Sequence, residues 1–252
     1  MRASVIRRTA VVASVGSLAL LLAACGGEGK EAGKGEASAP ASSAAPDAKA
    51  LSAAELQKLL VAQADLPAGH MAKEAGPADV VPAEAVVTDN AACKPIADAM
   101  AFIATGKPGA TARVKALALP EKDPKASPQE NALKALTSPV TAVTLGSYDG
   151  QGAQDAFASL RGAGAACAAG FGVTQAGEKT KVVKVAPEAG VTGGDEALAY
   201  TVTSDIDGER TVSKVVAVRK GNTLASFSTV SLGGNVEALP KAIVDAQVKK
   251  LG

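Results

Sequence analysis

The chain has 252 residues, with 26 lysines and arginines against 25 acids and a formal charge of +1, so it offers no electrostatic basis for binding nucleic acid. With no tryptophan, two tyrosines and four phenylalanines, it also lacks the stacking platforms on which sugars and single-stranded nucleic acids are usually held. Its core must be built from alanine, valine, leucine and isoleucine, and its length suits one folded domain of ordinary size.

Residues 1–24 read as a lipoprotein signal peptide. Arg2, Arg7 and Arg8 form a basic start, residues 10–22 an apolar run, and small residues precede Cys25. Leu22-Ala23-Ala24-Cys25 has the form of a lipobox, which makes the Cys25 sulfur the predicted lipidation site and Cys25 the first mature residue. The apolar run falls short of the roughly 18 to 20 residues that span a bilayer. Two or three acyl chains, each buried CH₂ contributing about 0.8 kcal/mol, would hold the chain stably at the outer face of the cell membrane. Without the three arginines of the signal, 23 cations face 25 acids, a net charge of −2. Residues 25–50 carry no large apolar side chain after the lipidated cysteine and read as a flexible tether, with a root-mean-square span of about 25–30 Å.

The predicted folded domain covers residues 51–252. Ser52 to Glu55 is a capping-box pattern and Leu56, Leu59 and Leu60 follow at helical spacing, so a helix is predicted over 53–63, broken by Asp65-Leu66-Pro67-Ala68-Gly69. A second helix is predicted over 93–102, capped by Asp89 or Asn90 and stopped at Thr105-Gly106. Arg113 and Lys115 alternate with Ala112, Val114 and Ala116, which suggests a strand with one wet face. Residues 120–139, with prolines at 120, 124, 128 and 139, read as a long irregular stretch with a helical turn at 130–136. A strand over 140–148 follows, then a helix over 151–169 carrying Phe157, Leu160 and Cys167, in which Gly162 and Gly164 weaken the middle and permit close packing.

From residue 179 the pattern changes to period two. Val183 with Val185, then 197–203, 212–218 and 224–230, separated by Asp207-Gly208 and Gly221-Asn222, predict an antiparallel meander of about four strands. A closing helix after Asn235 would turn Leu239, Ile243, Val244, Gln247, Val248 and Leu251 to the sheet and Lys241, Asp245, Lys249 and Lys250 to water. The predicted fold class is α+β: a single domain whose antiparallel sheet is packed by N-terminal, central and C-terminal helices.

Chemistry is sparse. With Cys25 assigned to lipid, Cys93 and Cys167 remain in a disulfide-permissive compartment and are predicted to bond to each other, with no Cys-x-x-Cys to suggest a redox role. The only histidine, His70, lies in a Pro-Ala-Gly-His-Met turn without a partner at ligand spacing, so no transition-metal site and no cofactor are predicted. No Gly-x-Ser-x-Gly, Walker loop or strand-linked Gly-x-Gly-x-x-Gly is present, and no catalytic residue is assigned. Asp195-Glu196, Asp205 with Asp207, and Glu188 read as turn or rim residues, Asp195 after Gly193-Gly194 being the one suited to a cleft mouth or a hard cation. Lys73, Glu74 and Arg161 read as solvated.

Several segments nonetheless carry a resemblance: Ala64 to Gly69, Ala91 to Asp98, the strand ending in Tyr148, and the helix with Cys167 and Phe171. Gly194 to Tyr200, Val218 to Ala225 and the closing helix with Gln247 and Leu251 continue it. In this order they resemble the actinobacterial extracytoplasmic sensor-domain lipoproteins, similar to the external sensor domain of the PknH-type receptor kinases. The resemblance implies an α+β domain with a cleft for an unidentified small ligand. It also departs from that pattern, because those kinase sensors carry two disulfides and this chain can form only Cys93 to Cys167. It has no kinase domain, so signalling would require a separate membrane partner.

The resulting expectation is a non-enzymatic, membrane-anchored extracytoplasmic protein that senses or binds a small ligand or envelope component. A lipid or glycolipid carrier is the alternative, and an envelope enzyme working without histidine a third. A sensor would present a solvated cleft with a few convergent polar groups, a carrier a deep pocket lined by leucine, isoleucine and valine.

Overall fold

The computed structural model describes residues 48–76, 79–232 and 234–252, so the signal, Cys25 and most of the tether lie outside the described residues. Five α-helices are found among them: α1 (Ala53–Leu59), α2 (Lys94–Met100), α3 (Pro128–Leu136), α4 (Gly152–Ala166) and α5 (Lys241–Leu251). The strands are β1 (His70–Glu74), β2 (Val86–Thr88), β3 (Ala110–Ala118), β4 (Val140–Ser147) and β5 (Phe171–Gln175), followed by β6 (Glu178–Pro187), β7 (Glu196–Ile206), β8 (Glu209–Lys220) and β9 (Thr223–Val230). Among the described residues these nine make one antiparallel sheet in the order β1-β3-β4-β9-β8-β7-β6-β5-β2. The domain is thus α+β.

Local chemistry accounts for the element ends. Ser52 and Glu55 close a capping box at the start of α1. The helix ends at Leu59 rather than at 63 because buried Gln247 of α5 takes over its last backbone groups, donating to the Leu59 carbonyl at 2.7 Å and accepting from the Val61 N–H at 3.1 Å. Ser127 and Glu130 form a second capping box with Pro128 at the first helical position, so the predicted turn at 130–136 is a full helix, α3, none of whose residues is buried. Asp207 and Gly208 both take positive φ, 53° and 88°, in the β7–β8 turn.

The meander has five strands, β5 to β9, not four. The β5–β6 turn uses Ala176 and Gly177 at φ 51° and 87°, and alanine in that conformation gives no turn signal in the sequence. A register shift between Val182 and Lys184 places Val182 and Val185 in the core instead of Val183 and Val185.

Helices cover both faces of the sheet. On one, Ile96 of α2 and Phe157 and Leu160 of α4 pack with Val182, Val202, Val215 and Leu224. On the other, Leu56 of α1 and Ile243 and Val244 of α5 pack with Val143, Leu145, Val216 and Phe227. Because β8 is buried from both sides, 215–218 reads as a continuous apolar run. Cys93 and Cys167 form a disulfide with a Cα–Cα distance of 5.7 Å, tying the start of α2 to the end of α4.

Three predicted positions differ. His70 begins the edge strand β1, which also carries Lys73 and Glu74, instead of sitting in a turn. The open edge of β1 is covered by Gln63, whose side chain donates to the His70 carbonyl at 3.0 Å and accepts from the Ala72 N–H at 2.9 Å. The face of β3 expected to be wet is half-covered: Arg113 Nε donates to the Phe102 carbonyl at 2.8 Å and Lys115 Nζ pairs with Asp79 at 2.7 Å.

The chain enters the domain beside the β8–β9 turn. There the Lys49 carbonyl accepts from Asn222 Nδ2 at 2.7 Å, the Ala50 N–H donates to Asp149 at 2.8 Å and the Leu51 N–H donates to Ser147 Oγ at 2.9 Å.

Candidate functional site

Strand alternation brings side chains of β6, β7 and β8 to the face covered by α2, but α2 ends at Met100 and leaves the far ends of these strands bare. Beside that helix end lies a cleft of about 250 Å³. Ala97 and Met100 of α2 with Val173, Ile206 and Val230 give it apolar walls. Thr180 of β6, Ser204 of β7, and Thr211 and Ser213 of β8 bring hydroxyls to it.

The placement follows from register. Ser204 lies opposite Thr211, and Val202 opposite Ser213, on the same face as the buried Tyr200 and Val215. Where the alternation would continue the apolar core, it supplies small hydroxyls. Ser204 is 5% exposed. Among the described residues, the side chains of Thr180, Ser204, Thr211 and Ser213 have no hydrogen-bond partner, and no ionisable side chain lines the cleft. Among the described residues the one hydroxyl shut off from solvent without a partner is Thr105 Oγ1, away from this cleft, whereas the Ser204 hydroxyl opens to the cleft, where water or a ligand can satisfy it.

A second cavity, about 390 Å³, lies on the opposite face beside His70 and residues 235–240. Its buried hydroxyls, Thr141 and Thr229, bond to each other at 2.9 Å and leave less for a ligand. His70 itself rests with Nδ1 3.4 Å from the Ala68 carbonyl oxygen.

Of the carboxylates singled out in the sequence, Asp205 and Asp207 have the expected turn role, whereas Asp195, Glu196 and Glu188 pair with buried cations. Asp195 is held in a buried network: Arg219, 1% exposed, donates to it at 3.0 Å and to Glu196 at 2.7 Å, and Asp195 also accepts from the Gly221 N–H at 2.7 Å. Gly193 and Gly194 let the chain turn into this network at positive φ. Arg161 is exposed, as expected of a solvated face, with its guanidinium 3.5 Å from Glu196 and 5.7 Å from the Phe157 ring centre.

Glu188 accepts from Thr201 at 2.5 Å and from buried Lys214 at 2.8 Å. Burial pushes its carboxyl up, but the hydrogen bonds from Lys214 and Thr201 and the lysine charge outweigh that, leaving it below the usual glutamate value. Asp205 accepts from the Gly208 N–H at 3.0 Å and meets Arg210 at 3.5 Å, a turn role shared with Asp207. Asp98 on α2 is held above the usual carboxylate range by burial, against the opposing pull of its partner Lys94.

Among the described residues, no group of three or more His, Cys, Asp or Glu side chains converges as metal ligands do. No described helix is long and apolar enough to cross a membrane.

Sequence reasoning did not find the four cleft hydroxyls. The available signal was serine and threonine at inward-facing alternate positions near the Asp207-Gly208 turn, where a core strand would carry apolar residues.

No protein-family model matches the chain, and no curated protein matches it either. Among solved structures, the extracellular domain of PknH from Mycobacterium tuberculosis is similar, over 81% of this chain and 97% of that one, with 9% identity and a TM-score of 0.45.

Proposed function

We propose that this chain is a non-enzymatic extracytoplasmic lipoprotein, anchored through Cys25, whose cleft beside the end of α2 senses or binds a small molecule. The observation that carries the binding role is Ser204, a residue nine-tenths buried whose hydroxyl opens to the cleft with no described side-chain or backbone partner, set among the hydroxyls of Thr180, Thr211 and Ser213. Anchoring rests on the lipobox at Leu22 to Cys25.

Cleft size and lining favour sensing over lipid carriage. About 250 Å³ lies below the usual 300–1,000 Å³ of ligand pockets, and the lining mixes the hydroxyls of Thr180, Ser204, Thr211 and Ser213 with its apolar residues, whereas a carrier would offer leucine, isoleucine and valine throughout. The position of the cleft suits a tethered binder. It lies at the Asp207-Gly208 end of β8, whereas residues 48–51 attach at the Gly221-Asn222 end. The 12 residues of β8 separate the two by about 35–40 Å. A bound molecule would therefore be read at the pole away from the point where the chain enters the domain.

The test is thermal unfolding of the full chain, wild type and Thr211→Phe, with a small-molecule extract of the envelope. Thr211 is half-exposed, so phenylalanine fills the cleft without invading the core. A ligand at ten times its Kd stabilises by about 1.4 kcal/mol, which raises Tm by about 3–5 °C in a domain of this size. That rise is expected for wild type and not for the variant. An equal rise in both, or none in either, contradicts the binding role.

A further inference from the structure

The geometry points to an uncharged, amphipathic molecule bearing neutral hydroxyl or carbonyl oxygens as the ligand of this cleft, an inference that rests on the binding role proposed above. Its polar side is set by an array. Thr180, Ser204, and the pair Thr211 and Ser213 stand on three adjacent strands of one sheet face. Neighbouring strands are about 4.8 Å apart and alternate residues of one strand about 6.8 Å apart. Each hydroxyl can donate once and accept twice, so the array matches neutral groups of either polarity. None of these four is engaged by another described side chain or backbone group.

Charge is excluded by what surrounds that array. The cleft lining contains no lysine, arginine, aspartate or glutamate. An ion entering it would lose hydration without meeting a counter-charge, which is far costlier than desolvating a hydroxyl that finds a partner. On the cleft face itself Glu178 lies opposite Gln175 and Glu209 opposite Ile206, outside the lining and repulsive to an anion, whereas Asp205 and Arg210 are on the other side of the sheet and compensate each other at 3.5 Å.

The rest of the lining sets the apolar side. Ala97 and Met100 of α2 lie over the hydroxyls, while Val173 opposite Thr180 and Ile206 beside Ser204 flank them on the sheet, and methionine adapts its unbranched side chain to different shapes. No aromatic ring lines the cleft, so a sugar would find no stacking platform. The volume, about 250 Å³, equals that of roughly eight liquid waters, which fits a short apolar chain with a diol, ester or amide head.

The experiment titrates the isotope-labelled full chain with a vicinal hexanediol and, separately, with hexanoate, its match in size but negatively charged. Backbone amide shifts of Thr180, Ser204, Thr211 and Ser213 report binding. The diol is expected to shift these four saturably and to bind at least about tenfold more tightly than hexanoate. Ser204→Ala and Thr211→Val should each weaken the diol about threefold to tenfold while leaving amides outside the cleft unchanged. Thr211→Val keeps the side-chain shape at a half-exposed position, so it remains informative if Ser204→Ala fails to fold. Hexanoate binding at the same amides as tightly as the diol, or diol binding untouched by Thr211→Val, would overturn the ligand class while leaving the cleft as a binding site. If neither probe moves these amides, the class and the binding role fall together.

Discussion

Lys214 shows how this protein treats a buried charge. With 5% of its surface exposed, it donates to Glu188 and to Thr201, and Thr201 in turn donates to Glu188. Arg219 is treated the same way by Asp195 and Glu196. The cleft hydroxyls differ in having no such partners, and that contrast makes them functional candidates. The Glu188 carboxyl sits below its ordinary value, so its contribution is present above the unfolded pKa and lost as pH falls through the lower folded one. Lys214→Met should therefore lower stability at neutral pH by about 1–3 kcal/mol and flatten the loss of stability on acidification, as read by urea unfolding across pH. Glu188→Gln should flatten the same acid limb. An unchanged acid limb in both variants would remove Glu188 from the account.

The two glycines of α4 separate packing from helix propensity. A methyl at Gly164 would overlap the ring and hydroxyl of Tyr200, whose hydroxyl donates to the Arg161 carbonyl at 3.3 Å. Gly162 has nothing within 4 Å of the same position. Gly164→Ala should destabilise by about 1–3 kcal/mol through overpacking, whereas Gly162→Ala should stabilise by about 0.5–1 kcal/mol through propensity alone. Equal effects of the two substitutions would mean that close approach of α4 to β7 is not what Gly164 provides.

Elements of this kind were readable to different degrees. The start of α1, the Asp207-Gly208 hairpin and the buried Ile243, Val244 and Gln247 of α5 follow from capping, turn chemistry and helical spacing, all of which are local. The Ser127 to Glu130 capping box was also present in the sequence, and it defines a longer helix than the single turn expected there. By contrast β1, β2 and β5 are strands because of their neighbours. β2 has three residues paired only to β5, β5 carries Gly172 and a turn through Ala176, and β1 is a mostly polar edge held by β3. The end of α1 was hidden for a similar reason, since Gln247 lies more than 180 positions away. The cleft was the least readable feature, because it depends on where α2 stops over strands that come much later in the chain.

As a whole the domain has two distinct ends. One holds the entering chain against Asn222, Asp149 and Ser147, and the other carries the cleft and the exposed Ile206 and Leu232. Between them the sheet is covered on both faces, and the disulfide joins the two helices on the face that bears the cleft. This arrangement suits a lipid-tethered binding protein that presents its ligand away from the point of attachment. The most direct measurement is mass spectrometry of the protein purified from the membranes of cells that produce it, first under native conditions and then after denaturation, for wild type and Thr211→Phe. The expected denatured mass equals residues 25–252 plus acyl chains, and the expected native wild-type mass is larger by one small uncharged molecule that Thr211→Phe lacks. A chain without acyl mass, or native masses of wild type and variant that exceed their denatured masses by the same amount or not at all, would contradict it.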